Sequence, residues 1–420
     1  MSIESVVNGL LEFAFYYPLF MTYVWMIGAV YYFYYRENSD HRRYDNPPEL
    51  KLTPPVTYLV PCHNEGDNAR ETIQALLEQD YPEFEIIAIN DCSEDSTGEI
   101  LDEIAAAEPR VRVIHFDQNQ GKAMGLRMGA LASRHEILIC LDGDALLDKH
   151  ATRWIVRHFN DGPRVGAVTG NPRIRNRSSL LGKIQVGEFS SIIGMIKRAQ
   201  RIYGRVFTVS GVVAAFRKAA LQKVGYWDLN MITEDIDISW RLQSNHWDIR
   251  YEPNALCWIL MPETLQGLWR QRLRWAQGGL EVFLRYWSSL MNWRKRRIWL
   301  VVLELVVSTA WAHLIALIFL VATVGLFIEL PPVLRGAAFL PGWAGVVLGA
   351  TCLLQFGISL AIDSRYEPRL GRYYYWMIWY PMIYWTIQTA ATLVALPRAL
   401  RKPRDTRAIW TSPDRGIRIE

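Results

Sequence analysis

The sequence predicts an α/β domain with a mostly parallel sheet, set between apolar segments long enough to cross a membrane. Three observations predict it. From residue 56 to 144, short apolar runs rich in Val and Ile alternate with helical stretches. The polar clusters of that region fall where the runs end. Residues from about 40 to 297 are charge-rich, whereas the flanks carry few charges. Alternation of this kind builds a parallel sheet with helices on both faces.

The first flank, Leu10 to Tyr35, holds one charge, Glu12, near its outer end. A bilayer core takes about 20 residues, and the tyrosines and Trp25 suit its interface. The start, "MSIES", is not basic, and the exit, "YYFYYRE", is bulky, so a retained span is expected over a cleaved signal. The second flank contains Ile298–Ile328, with Glu304 and His313 inside it, then Gly336–Ile362 and Tyr373–Leu396. Basic "RENSDHRR" and "RKRR" border the spans and place the central domain in the cytoplasm. Four simple spans would leave the basic tail outside. Tyr373–Leu396, interrupted by Pro381, is therefore expected to be re-entrant or to lie along the interface. The expected divisions are 1–40, 41–262, 263–297, 298–397 and 398–420.

The net charge of +4 sits beside the spans, which fits membrane lipids better than a nucleic-acid polymer. The five cysteines show no metal-ligand or disulfide spacing, so reduced thiols are expected. In the central domain "VTYLVP", "FEIIAIND", "VRVIHF" and "EILICLDGD" read as strands. "NARETIQALLEQ", "STGEILDEIAAA" and "GKAMGLRMGALA" read as the helices between them. Ligands bind beyond the carboxyl ends of such strands. "PCHNE" (61–65), "NDCSED" (90–95) and "DGDA" (142–145) fall there. No GxGxxG follows the first strand and there is no GxxxxGK[ST], which removes the main support for dinucleotide and P-loop readings.

Asp142 and Asp144 offer hard oxygen ligands for Mg²⁺ or Mn²⁺ at one strand exit. Asp-Gly is equally a turn signal. "MITEDIDISW" crowds Glu234, Asp235 and Asp237 among apolar neighbours. Either one of them is a catalytic base or the acids cap a helix. In "QRLRW", Gln271, Arg274 and Trp275 share one helix face, with Arg274 suited to a diphosphate. The alternative is an amphipathic helix lying on the membrane. Glu304 and His313 also admit a transport relay, although a chain that had lost catalysis would not be expected to retain Asp91, Asp142, Asp144 and Asp235 together.

In order, "PCHNE", "NDCSED", "DGDA", "TED" and "QRLRW", followed by spans, resemble the processive family-2 glycosyltransferases, which include cellulose, chitin and hyaluronan synthases. "VGAVTGNPRIRNRSSLLGKIQVGEFSSIIGMIKRAQRIYG", "CWILMPETLQGLWRQRLRWAQGG" and the terminal "WTSPDRGI" strengthen the resemblance. It implies a GT-A-type domain that polymerises N-acetylglucosamine from UDP-N-acetylglucosamine into a β-1,6-linked chain and exports it across the bacterial inner membrane into a biofilm matrix. It implies Mg²⁺ or Mn²⁺ as cofactor, a growing polysaccharide chain as acceptor, a small membrane accessory subunit, and cyclic di-GMP as activator. Carried over by position, Pro61 and Glu65 lie by the uridine, Asp91 reads the uracil, and Lys122 lies near the nucleotide. Asp142 and Asp144 hold donor and metal. Ser210 and Gly211 lie near the acceptor. Asp235 is the base, supported by Glu234. Gln271, Arg274 and Trp275 cover the diphosphate and the acceptor end. Cys92 stands where the family has glycine, so an altered turn beside an intact Asp91 is expected. The alternatives are a single transfer to a polyprenyl phosphate, or a non-catalytic membrane nucleotide receptor or transporter.

Overall fold

A computed structural model describes residues 2–38, 42–331, 334, 343–403 and 405–409. The terminal "WTSPDRGI" and the end of the basic tail lie outside the described residues. Helix α1 (Ile3–Tyr32) starts at Ser2, whose hydroxyl accepts from the Ser5 amide, and continues through a π-helical turn, Phe33–Glu37. Strand β1 (Val56–Cys62), α2 (Asp67–Leu77), β2 (Phe84–Asn90), α3 (Thr97–Ala107), β3 (Val111–His115), α4 (Lys122–Ala132) and β4 (Ile137–Leu141) follow in the predicted order. β1, β2 and β4 are buried throughout, which explains their unbroken apolar runs.

The chain continues through β5 (Leu146–Leu147), α5 (Ala151–Asn160), β6 (Val165–Ile174) and α6 (Leu180–Glu188). A π-helical stretch, Phe189–Met195, leads into α7 (Ile196–Tyr203). Then come β7 (Val213–Arg217), α8 (Lys218–Val224), α9 (Glu234–Ser244) and β8 (Asp248–Ile259). The sheet order is β3-β2-β1-β4-β7-β6-β8-β5. β3, β2, β1 and β4 are parallel, and β6 is parallel to β8. β7 runs antiparallel between β4 and β6. It therefore begins at the edge where β1, β2 and β4 end, and brings the preceding Ser210–Gly211 turn to that edge. In-register pairing of β1 with β2, from Val56↔Phe84 to Cys62↔Asn90, aligns the polar ends of these strands.

Beyond the sheet lie α10 (Leu265–Leu290), a 3₁₀ turn at Trp293–Ile298, α11 (Trp299–Val324) and α12 (Trp343–Asp363). A second 3₁₀ segment, Leu370–Trp379, precedes α13 (Tyr380–Arg401). Three helical segments are long and apolar enough to cross a membrane: Ile3–Glu37, Trp293–Val324 and Trp343–Asp363. α13 is not among them; it packs along α10 and α11. Its exit returns to the α/β domain. Lys402 Nζ lies 2.8 Å from Glu281 Oε2, and the Ala408 amide donates to the Leu229 carbonyl at 3.0 Å. Glu304 accepts from Gln200 Nε2 and the Tyr203 hydroxyl of α7, both at 3.3 Å, while His313 bonds within its own helix, to the Thr309 carbonyl.

A buried ionic cluster joins the ends of two of these spans to the sheet. Arg198 of α7 holds Glu37 in a bidentate pair at 2.6 and 3.2 Å and Asp363 at 3.0 Å. Arg173 of β6 reaches Asp363 at 2.6 Å and Glu367 at 3.2 Å, and Arg177 also pairs with Glu367. Tyr366 donates to Glu37 at 2.6 Å. Arg173, Arg177 and Arg198 balance Glu37, Asp363 and Glu367, which removes the cost of an unpaired buried charge.

Candidate active site

The three acids at the start of α9 divide between two jobs. Asp237 points away from the sheet edge: Oδ1 accepts from the Tyr286 hydroxyl at 2.7 Å and Oδ2 from Arg241 at 2.6 Å. It fastens α9 to α10. Glu234 and Asp235 face the ends of the strands. Burial, and then the Glu234 charge, push the Asp235 carboxyl up to about 6, against the pull of Lys122 and Arg274. Burial also acts on Glu234, but Lys122 and Arg274 outweigh it and hold that carboxyl below the usual range. Of Asp235 and Asp237, which leave the helix in different directions, only Asp235 faces this edge, and Glu234 lies beside it with the opposite shift.

Lys122, the first residue of α4, is the hub. Its ammonium lies 2.5 Å from Asp142 Oδ1 and 3.1 Å from Glu234 Oε1, and donates to the Gly211 carbonyl at 3.0 Å. Burial works against its charge, yet Asp142 and Glu234 hold it above a lysine's ordinary range. Gly211 is closely approached: a Cβ there would sit 3.2 Å from Asp235 Oδ2. Ser210 is tied down through its amide, which donates to Thr169 Oγ1 at 2.8 Å. Thus β4, α4, α9 and the turn before β7 converge on one pocket of three carboxylates and one ammonium.

Asp144 is buried nearby; both it and Asp142 add to the burial that raises the Cys257 thiol. Gly143 between them has no room for a side chain, since a Cβ would lie 2.9 Å from Glu65 Cγ and 3.0 Å from Cys62 Sγ. Glu65 is therefore packed beneath the Asp142–Asp144 turn. Pro61 lies against α4, 3.3 Å from where a Cβ on Gly125 would be. Asp91 is fully buried, with its carboxylate accepting from the Gln120 amide at 2.6 Å and the Gly121 amide at 2.8 Å. It fixes the loop that delivers Lys122. Burial raises its carboxyl, opposed by those amides, by His63 and by Arg407 of the returning tail. Cys92 has φ +54°, in the left-handed region that a glycine adopts freely, so the cysteine there is strained.

α10 lies across this pocket. Arg274 is exposed, and its charge acts on both Glu234 and Asp235. Gln271 is half-buried, with Nε2 near Met261 Sδ. Trp275 packs against the core, and its ring is covered by Arg272 at 4.5 Å. Arg272 itself is buried and paired with Glu188 at 2.6 Å, and Glu188 also accepts from the Tyr380 hydroxyl. The docking of α10 on α9 depends on Gly278, where a Cβ would meet Thr233 Oγ1 at 2.2 Å. Sequence reasoning did not single out Gly278, Thr169 or Arg272; the first hides as an ordinary helix glycine in "AQGG".

A divalent ion fits the donors present. Asp142 and Asp144 bring two carboxylates to one strand exit, and Lys122 meets Asp142 Oδ1 there at 2.5 Å. Among the described residues no three His, Cys, Asp or Glu side chains form a metal cage. Two carboxylates alone match an ion that completes its shell with water and substrate phosphates.

Residues 54–278 match the model of the family "Glycosyltransferase like family 2". The chain is 40% identical to the poly-β-1,6-N-acetyl-D-glucosamine synthase of Staphylococcus epidermidis, over 96% of this chain and 98% of that one. The synthase of the same name from Staphylococcus aureus strain MSSA476 matches to the same extent. Among solved structures, a mannosyltransferase from Pyrobaculum calidifontis, in complex with GDP-Man and Mn²⁺, superposes with a TM-score of 0.60 at 19% identity, covering 95% of this chain and 99% of that one. The fold is thereby that of a GT-A-like glycosyltransferase with three apolar helices added, and the chain belongs to the family-2 glycosyltransferases.

Proposed function

We propose that the chain polymerises N-acetylglucosamine from UDP-N-acetylglucosamine into a β-1,6-linked polysaccharide and passes it across the membrane. The observation that carries this reading is Asp235: a half-buried carboxylate, raised to about 6, at the edge where donor-site groups and the turn before β7 meet. A base is most effective when its pKa lies near the working pH. The name and near full-length similarity of the staphylococcal synthases support the sugar and the linkage.

Asp235 takes the proton of the acceptor's primary hydroxyl as its oxygen attacks the anomeric carbon. Attack from the face opposite the departing UDP converts an α-linked donor into a β-linked product. Lys122 and Arg274 supply positive charge where the diphosphate becomes more negative. Asp142 and Asp144 would hold Mg²⁺ or Mn²⁺, which supplies further charge neutralisation on the diphosphate. Mn²⁺ with the nucleotide sugar in the archaeal mannosyltransferase supports that assignment. Gly211 keeps the acceptor side open beside Asp235. The family-2 reading also favours a cytoplasmic catalytic domain, with Ile3–Glu37, Trp293–Val324 and Trp343–Asp363 crossing the membrane and α13 lying at the interface. Three crossings, with the tail against the α/β domain, remove the conflict with the positive-inside rule.

The test is an assay of membranes bearing this chain with labelled UDP-N-acetylglucosamine and Mg²⁺ or Mn²⁺. Polymer sensitive to a β-1,6-hexosaminidase, made by wild type and lost in Asp235→Asn, is the expected result. If both are silent, the assay is repeated with a small accessory subunit and cyclic di-GMP. Continued silence, or one sugar on a lipid carrier, overturns the polymerase reading.

A further inference from the structure

Behind the acceptor side lies a second buried lysine that no motif picks out. Lys197 of α7 is buried, and its ammonium donates to Thr169 Oγ1 at 3.2 Å. Among the described residues no carboxylate pairs with it. The same Thr169 oxygen accepts from the Ser210 amide at 2.8 Å. Ser210 leads into Gly211, whose α-carbon packs beside Asp235. One hydroxyl therefore links a buried amine to the turn that borders the base.

We propose that Lys197 is a positioning residue of the transfer site: through Thr169 it sets the Ser210–Gly211 turn, and its positive charge favours the ionised form of Asp235. The proposal rests on the reading of Asp235 as base.

The surrounding groups leave this task to Lys197. Glu37 and Asp363, from the ends of α1 and α12, are occupied by the neighbouring Arg198. Asp248 at the start of β8 is held by Arg201 at 3.0 Å. Glu252 of β8 is bonded by His158. Glu304 of α11 is bonded by Gln200 and Tyr203. Tyr32 of α1 donates to the Tyr251 carbonyl. Among the described residues, the charge that acts on Lys197 is Asp235. On its own side Asp235 faces Glu234, Lys122 and Arg274.

Burial lowers Lys197 to about 7, with Asp235 drawing it back up. Asp235 titrates at about 6. The attraction is mutual: an ionised Asp235 favours a charged Lys197, and a charged Lys197 favours an ionised Asp235. Removing that charge raises the Asp235 pKa, and the acid limb of the rate profile moves to higher pH.

The experiment records kcat and donor KM against pH for wild type, Lys197→Met, Lys197→Arg, Thr169→Val and Asp235→Asn, in the membranes used for polymer synthesis. Lys197→Met is expected to shift the acid limb alkaline by about one unit, which lowers kcat about fivefold at pH 6, with donor KM unchanged. Lys197→Arg restores the limb. Thr169→Val, which leaves the Ser210 amide unpaired, lowers kcat with the limb shifted in the same direction. A uniform loss at every pH, or an unmoved limb with wild-type rates, overturns the positioning role while Asp235 remains the base. If Lys197→Met yields no folded chain, an unmoved limb in Thr169→Val overturns it. Retained polymerisation by Asp235→Asn overturns the base assignment, and the proposal with it.

Discussion

Gly278→Ala isolates the contact that places the acids proposed as catalytic, Glu234 and Asp235. In an exposed helix the change would stabilise by about 0.5–1 kcal/mol, because alanine is the better helix former. Here the new methyl would lie 2.2 Å from Thr233 Oγ1, 2.3 Å from Cγ2 and 2.7 Å from Cβ. Ordinary contact begins near 3.4 Å, so α10 and the start of α9 must separate by about 1 Å. Overpacking of this kind costs about 1–3 kcal/mol, which an otherwise intact fold survives. Thr233 immediately precedes Glu234 and Asp235, so the displacement is delivered to the base. A misplacement of about 1 Å costs on the order of 100-fold in rate. The assay is polymer formed per folded chain, with thermal unfolding in detergent as the control for folding. Thr233→Gly in the same chain removes all three clashing atoms, and the Thr233 hydroxyl has no hydrogen bond to lose. The double variant is expected to recover most of the rate. Full activity in Gly278→Ala alone, or no recovery in the double variant, would refute the argument that this contact positions the acids.

Three further outcomes are expected. The wild-type rate should rise with pH through about 6 and then level, since Asp235 accepts a proton only when ionised and its folded pKa is raised to that value; a profile flat from pH 5 to 8 would contradict the assignment. Lys122→Met leaves Asp142 and Glu234 facing each other without their shared cation, so donor KM should rise at least tenfold and the Asp235 limb should shift alkaline; titration of UDP binding on the purified chain checks the first part. Arg198→Ala leaves the buried Glu37 without its counter-charge, while Asp363 keeps Arg173, and should cost about 3–5 kcal/mol, read as a fall in unfolding temperature, whereas Lys183→Ala, in an ammonium–ring contact with Trp376, should cost far less.

The strands from β1 to β4 were legible because buried parallel strands leave unbroken apolar runs. The acids of the site were legible because they cluster at strand and helix ends. Periodicity carries no direction, so the antiparallel β7, which brings Gly211 beside Asp235, was not. Two of the expected binding residues also hold the site together: both amides that approach Asp91 belong to the loop of Lys122, and Glu65 is packed under Gly143. A carboxylate that positions a loop looks, in sequence, like one that touches a ligand. Lys197 was hidden differently. In "GMIKRAQRIYG" it reads as one of several basic residues on a solvated face, and only the path of α7 buries it.

The ionic cluster around Arg198 bears on where this enzyme can be cut. The stretch matched by the family model, 54–278, contains Arg173, Arg177 and Arg198 but none of Glu37, Asp363 and Glu367. A segment excised along those boundaries would expose three guanidinium groups that the full chain neutralises. During synthesis the same arithmetic runs in order: Glu37 waits for Arg198, and Arg198 and Arg173 wait for Asp363, which arrives only as the helix Trp343–Asp363 is completed. A chain halted before that helix therefore leaves Arg173 and Arg177 without their carboxylate partners, so the charge balance of the sugar-transferring domain is completed only by its apolar segments.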